Sequence, residues 1–485
     1  MKILQRVGAI LLLIAATFGV YWPALKNGFV WDDTALVLRD PLIRSWRLIP
    51  ESFHHFLFMD ATASNFYRPL QRLSFMGDYA LWEFFPRGYH FTSILAHLVA
   101  AVMLFLLAEI WLGQRRRWAA FAVALVWAVH PIHTSAVTYV SGRADSLAAI
   151  FGFLGLALGL ISLAGGKRAN WAAVGAALCF FAAFLSKESG LAALLIWFLV
   201  LIWSRLPWKV IGKWGLVAVT ILGTYGVLRS TAERTLPPSG TGPKPIERPA
   251  LVARAVAEYA GLIIAPTNLR MERDVRSMTS GDPAAIARSK TLRGYQTWVG
   301  VVLIGLLAAW FWWARRRAPE AALALLAAVV AYVPISNVFA LNATAAEHWL
   351  YVPSAFLFLA VAASLPAIHW FQRPILWRVG TAALAAWTVL LGIRTWTRHG
   401  DWLDQPTFLL ETIKAGGDTA RMHVNLGHHK ASKGLNEEAL EEFHEALRIK
   451  PGQTHALFGV ASISTRLGRY TEAREALEKV KDDSS

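Results

Sequence analysis

The stretch Val7-Gly8-Ala9-Ile10-Leu11-Leu12-Leu13-Ile14-Ala15-Ala16-Thr17-Phe18-Gly19-Val20-Tyr21-Trp22-Pro23-Ala24-Leu25, followed after one lysine by Asn27-Gly28-Phe29-Val30-Trp31-Asp32-Asp33, decides how the rest of the chain is read. The apolar run has about the length a helix needs to cross a bilayer, roughly 20 residues. Two adjacent carboxylates therefore sit at the membrane surface or in a cavity that opens onto it, where charge is costly unless it is used. The plain alternative is that Asp32 and Asp33 only mark where the chain leaves the lipid. No small-residue cleavage site follows the hydrophobic part, so the run reads as a retained helix and not as a signal peptide.

The same pattern recurs along the chain. Of its 485 residues 55% are hydrophobic and 22 are tryptophan, more apolar surface than a soluble domain of this size needs. The apolar residues come in blocks separated by short basic loops, and ends such as Trp310-Phe311-Trp312-Trp313 fit interfacial belts. The class is an all-α, polytopic membrane protein. We expect eleven spans, at 7–25, 91–112, 118–138, 145–164, 170–187, 189–204, 213–228, 297–314, 320–338, 352–371 and 375–395. With a cytoplasmic N-terminus, the inner segments hold Lys2/Arg6, Arg115-Arg116-Arg117, Lys167-Arg168, Arg205/Lys209/Lys213, Arg315-Arg316-Arg317 and Arg373/Arg378. Every one is basic, which sets the orientation and places the C-terminal region on the outer face, the periplasm in a bacterium. The net charge of +16 is thereby a matter of topology, and nucleic acid is set aside as a partner. The lone Cys179 lies in an apolar block and supports neither a disulfide framework nor a thiolate metal site.

Two long loops face outward. The first, 26–89, holds Asp32, Asp33 and Asp40, an aromatic amphipathic stretch from Trp46 to Phe58, and Tyr67-Arg68-Pro69-Leu70; its aromatics call for an ordered fold. The second, 229–296, opens with a Pro/Gly-rich tract at 237–243 and continues through Leu251 to Pro266. There Arg254 and Glu258 share one helical face, which favours a helix lying in the interface. From 396 the chain turns polar. Leu426, Gly434, Ala439, Phe443 and Leu447 recur 34 residues later as Val460, Gly468, Ala473, Leu477 and Lys481, the tetratricopeptide period. Trp402, Leu409 and Ile413 read as half of an earlier copy. The expected division is a membrane domain over 1–395 and a helical-repeat domain over 396–485.

Sorted by side, the polar residues near the spans gather on the outer face with Asp32 and Asp33. They are His130-Pro131-Ile132-His133, Arg143-Ala144-Asp145, Ser186-Lys187-Glu188 and Glu347-His348-Trp349-Leu350-Tyr351. Individually each has a bland reading: a solvated turn, a helix-end ion pair, or a histidine pair without enough ligands for a metal. Together, carboxylates, histidines and the cations Arg68, Arg143 and Lys187 at one interfacial pocket suit an anionic lipid headgroup and acid/base chemistry on it.

In order, Phe-Val-Trp-Asp-Asp, Tyr-Arg-Pro-Leu, His-Pro-Ile-His-Thr with Gly-Arg-Ala-Asp, Ser-Lys-Glu, Glu-His-Trp-Leu-Tyr-Val-Pro-Ser and the closing repeats resemble the TMTC-type protein O-mannosyltransferases, and more broadly the GT-C glycosyltransferases. Two departures stand out: Ser135 occupies a position usually acidic in that family, and the repeat array is short. The resemblance implies a polyprenyl- or dolichyl-phosphate sugar donor and transfer outside the cytosol to an acceptor hydroxyl, with the repeats receiving a protein or peptide. A lipid phosphate leaves as a stable anion, so a base and phosphate-holding cations suffice. Asp32 or Asp33 is the expected base, with the larger effect expected at Asp33. Arg68, Arg143 and Lys187 are expected on the phosphate. His130, His133, Asp145, Glu188, Glu347, His348 and Tyr351 complete the expected donor pocket. Single displacement would invert the anomeric centre. No cofactor or metal is predicted, since a monophosphate leaving group does not demand one. Alternatives are a transporter or flippase of a lipid-linked sugar, a GT-C enzyme acting on a lipid or glycan, and a non-catalytic scaffold.

Overall fold

The computed structural model describes residues 2–59, 66–232, 245–276, 283–338, 343–369 and 373–482; the tract at 237–243 lies outside the described residues. The fold is all-α. The only strands among the described residues are Glu272–Arg273 and Ala345–Ala346, antiparallel, with Glu272 opposite Ala346 and Arg273 opposite Ala345.

Each of the eleven predicted stretches is largely helical, yet among the described residues eight helices are long and apolar enough to cross a membrane by themselves. A ninth is obtained if Gln114–Val129 and Pro131–Val137, bent by 53°, count as one span. The bend has a local cause: Pro131 forces His130 into an extended conformation and cannot donate the helical hydrogen bond. Two further apolar helices, Glu188–Trp203 and Pro319–Ile335, are shorter. At 1.5 Å per residue each reaches only about 25 Å, short of a hydrocarbon layer of roughly 30 Å. Of the eleven expected spans, eight or nine thus have full crossing length among the described residues, and two are short helices beside them. The expected span at 297–314 is also part of a much longer helix, Pro283–Arg317.

Pro86–Leu112 and Glu347–Ala367 are central, each with 56% of its apolar window buried within the protein. Ala287–Arg317 and Pro374–Trp402, at 11% and 6%, present nearly everything outward, as lipid-facing helices do. Small residues let neighbouring helices approach closely: a Cβ at Gly159 would lie 2.7 Å from the Trp197 ring. At one end of the bundle Glu109, nearly buried, receives Arg6 at 3.0 Å and also Arg117, while Arg116 reaches Glu320 at 3.4 Å. Two of the basic segments assigned to one side are thus brought together at one end.

At the other end lie the long loops. The first folds as short helical turns and a helix, Pro69–Trp82, that the sequence reading did not anticipate. Its anchor is buried Arg72, which pairs with Asp40 at 3.0 Å and donates to the carbonyls of Phe56 and Leu57 at 2.5 and 2.8 Å. In the second loop the helix Arg248–Ile264 forms as expected, but its charged face is turned to protein. Arg254 donates to Thr297 at 2.8 Å, and Glu258 accepts from Arg273 at 2.5 Å and Gln296 at 2.7 Å.

The polar C-terminal stretch forms two helical hairpins, Ala420–Ser432 with Asn436–Ile449 and Thr454–Arg466 with Tyr470–Asp482. Corresponding helices begin 34 residues apart, and Gly434 and Gly468 close the two turns at φ +79° and +75°, where a side chain would be strained. Phe443 fills the space between the hairpins, held on either side by Gly427 and Gly459. The segment that leads into the hairpins, 399–405, meets the first loop through three hydrogen bonds. Gly28 N–H donates to Leu403 O at 2.8 Å, Trp31 N–H to Gln405 Oε1 at 2.6 Å, and Asn27 Nδ2 to His399 O at 3.0 Å. They secure Trp31, a non-glycine residue at φ +55°.

Candidate active site

A cavity of about 370 Å³ opens where several segments converge. Asp32 and Arg68 come from the first loop, Tyr139, Ser141, Gly142, Ala144 and Asp145 from the connection after the bent helix pair and the start of the next helix, and Lys187-Glu188-Ser189 from the next outer turn. Met271-Glu272 and Ala346-His348-Trp349 enter from either side of the small β ladder, and Arg229 from the end of the helix Trp208–Thr231.

The paired carboxylates diverge, because they occupy successive positions of a tight turn in which Asp33 N–H bonds Val30 O at 3.0 Å and Leu36 N–H bonds Asp32 O at 2.9 Å. Asp33 is fully buried and spent on structure. Its Oδ1 accepts from Ser141 N–H at 2.8 Å and Ser141 Oγ–H at 2.6 Å, and its Oδ2 from Val30 N–H at 3.2 Å. Burial, only partly offset by these bonds, pushes its carboxyl up to about 7. Asp32 faces the cavity. Burial raises its carboxyl as well, opposed first by Tyr139 and then by Arg421. The sequence reading put Asp33 foremost, whereas it is Asp32 that lines the cavity.

Two cations on the cavity wall are each held by a carboxylate. Lys187 Nζ lies 2.7 Å from both oxygens of Asp145, and Arg68 lies 2.8 Å from Glu188. Such pairing fixes the cations while leaving further N–H donors for a ligand. His348 completes the wall; its Nδ1 is buried without a partner among the described residues.

Six expected residues do not line the cavity: Asp33, and five others. Arg143 is buried in an ion pair with Asp78, donates to Tyr89 O at 2.8 Å and Ser93 Oγ at 3.1 Å, and is corrected from ligand contact to core structure. His130 is committed to Ile263 O at 3.0 Å. His133 is packed between Trp127 and Tyr351, each 4.9 Å away by ring centroid. The Tyr351 hydroxyl is shared by His97 at 2.6 Å and Ser146 at 3.0 Å. Glu347 points away from its neighbour His348, to Arg398 at 3.1 Å and to the Arg270 N–H. These residues brace the wall from behind. Conversely, sequence reasoning missed Tyr139, Ser141, Arg229, Glu272 and Trp349. Trp349 lay inside a quoted motif, and Tyr139 and Ser141 directly precede another; nothing marked Arg229 or Glu272.

Among the described residues one group has metal-ligating spacing, Asp418, His423 and Glu445, with ligand atoms within 4.8 Å of one another. It belongs to the C-terminal helices, and both His423 nitrogens are already bonded, to Asp418 at 2.8 Å and Glu442 at 2.6 Å.

Fold and site together define an integral multi-pass membrane protein with a cavity at one end of its helix bundle, in which charged side chains are set among apolar ones. No family model matches the chain. Over nearly its whole length the chain is similar to protein O-mannosyl-transferases, as its motifs implied. It is 25% identical to TMTC3 of Homo sapiens over 96% of this chain and 54% of that protein. It is 24% identical to Tmtc3 of Drosophila melanogaster over 97% and 58%, and 23% identical to human TMTC1 over 95% and 57%. The chain thus spans about half the length of the curated relatives it matches. Among solved structures it is similar to ArnT from Cupriavidus metallidurans bound to undecaprenyl phosphate, at TM-score 0.44 and 17% identity over 98% of this chain and 78% of that one.

Proposed function

We propose that this protein is a membrane glycosyltransferase that moves a mannose-like hexose from a polyprenyl-phosphate carrier to a hydroxyl group, on Ser or Thr of a protein. The observation that carries the reading is the placement of Asp32, the one free-facing carboxylate of the pair, in a cavity that also holds the paired cations Lys187 and Arg68. Asp32 takes the acceptor proton as the hydroxyl oxygen attacks the anomeric carbon. The bond from that carbon to the phosphate oxygen breaks, its electron pair leaves with the phosphate, and the anomeric centre inverts. Arg68, Lys187 and His348 hold the departing phosphate, while Asp145 and Glu188 orient the two cations. A monophosphate leaving group needs no metal.

The membrane domain is 1–395, and 396–485 is a tetratricopeptide domain that receives the acceptor polypeptide. The basic segments face the cytoplasm, and the cavity and C-terminal helices face outward. The test is to incubate the purified full chain with radiolabelled polyprenyl-phosphate sugars and a Ser/Thr-rich peptide pool. Consumption of one donor with label appearing in peptide is expected. Donor consumption with label only in lipid or glycan would reassign the acceptor, and no consumption of any donor would overturn the reading.

A further inference from the structure

Tyr139 is a residue to which the mechanism above gives no part. It lies between the bent helix pair and the helix Arg143–Leu163, and it lines the cavity beside Asp32. Its ring is held on both sides: it stacks on Trp402 at 5.8 Å and 30°, and it shares a buried cluster with Val30, Met271 and Phe408. The residue is 6% exposed, and its hydroxyl has no hydrogen bond of full geometry among the described residues. A buried phenol in that condition is costly unless a nearby acceptor can take its proton. The neighbouring hydroxyl, on Ser141, is already spent on Asp33. The Tyr139 hydroxyl meets two groups, the Ser141 hydroxyl and the Asp32 carboxylate, and of these the carboxylate is the charged acceptor that shares the cavity wall with it.

We propose that Tyr139 is a positioning residue for Asp32: its hydroxyl donates to one carboxylate oxygen and leaves the other turned to the acceptor. The inference rests on the reading of Asp32 as the base. A phenol is suited to the task because its ring has few torsions and is clamped by Trp402, so the donor comes from a fixed direction and its bond to a carboxylate is charge-assisted. It also favours the ionised, proton-accepting form. The other charged groups near Asp32 are Asp33, Arg68, Glu272 and Arg421. They come from the first loop, the β ladder and the first C-terminal hairpin, and Tyr139→Phe leaves all of them in place. The clamp joins a membrane-side residue to Trp402, so the C-terminal segment takes part in orienting the base.

The experiment is a double-mutant cycle on the full chain in detergent, with Tyr139→Phe, Asp32→Asn and both together, followed by kcat and KM from pH 5 to 9. Tyr139→Phe keeps the stacked ring and removes only the hydroxyl. It is expected to lower kcat at pH 7 about tenfold and to move the acidic limb of kcat upward by about one unit, with donor KM unchanged. In the Asp32→Asn background it is expected to add nothing. An unmoved limb with wild-type kcat, or an additive loss in the double variant, overturns the proposal. Should Tyr139→Phe lower the melting temperature, the cycle still decides, because a purely structural loss would be additive. If Asp32→Asn proves as active as wild type, the base assignment itself has failed and this inference falls with it; an inactive Asp32→Asn beside a wild-type Tyr139→Phe condemns the inference alone.

Discussion

Replacing Asp32 and Asp33 separately with asparagine separates chemistry from structure at two adjacent positions. At residue 33 an amide keeps one oxygen for the two Ser141 donors but turns an NH₂ toward Val30 N–H, 3.2 Å from the oxygen it replaces. One bond is lost and two donors are set face to face, a cost of about 1–3 kcal/mol in stability. Loss of the charge costs little, because burial already holds this carboxyl near 7. The linkage has a definite sign. A carboxyl raised on folding stabilises the folded state fully below its unfolded value near 4, and that contribution is lost as pH rises through about 7. Between pH 5 and 8 the wild-type melting temperature should therefore fall relative to that of Asp33→Asn. At residue 32 the change should leave the melting temperature nearly unmoved and reduce turnover by about 100-fold or more. The assays are thermal unfolding in detergent and turnover of labelled donor. The reasoning is refuted if Asp33→Asn loses turnover 100-fold with unchanged stability while Asp32→Asn transfers sugar at the wild-type rate.

Three other outcomes are expected. Lys187→Ala should weaken donor binding by roughly 1.5–3 kcal/mol and, because it strands buried Asp145, also lower stability; Lys187→Met with Asp145→Asn should recover the stability but not the binding, measured by labelled-donor titration. Arg143→Ala should instead destabilise by about 3–5 kcal/mol through stranded Asp78 and leave donor affinity of the folded protein unchanged; weakened affinity at full stability would return Arg143 to the pocket. A phosphatase fused after Ser485 should be active in the bacterial periplasm and one at Arg116 silent, whereas activity at Arg116 would invert the orientation.

Hydropathy and spacing are properties of consecutive residues, so what depends on them was legible from the chain itself. The apolar runs, the proline break at Pro131, the basic segments between helices and the 34-residue period each follow from residues close in sequence. Of the residues singled out by motif, Asp32, Arg68, Asp145, Lys187, Glu188 and His348 line one cavity. Which side chain of a turn faces that cavity is another matter, because distant residues settle it. Asp32 and Asp33 are chemically identical neighbours, and what separates them is Ser141, 108 residues further on, which claims Asp33. Arg143 and Lys187 both read as cations at an outer turn, yet Arg143 meets Asp78 in the core while Lys187 meets Asp145 at the cavity wall. Glu272 reaches the cavity only because its two-residue strand pairs with Ala345–Ala346, a register that no local pattern encodes. Trp31 holds its left-handed conformation through Gln405, 374 residues away, so even the backbone that presents Asp32 is set by the far end of the chain.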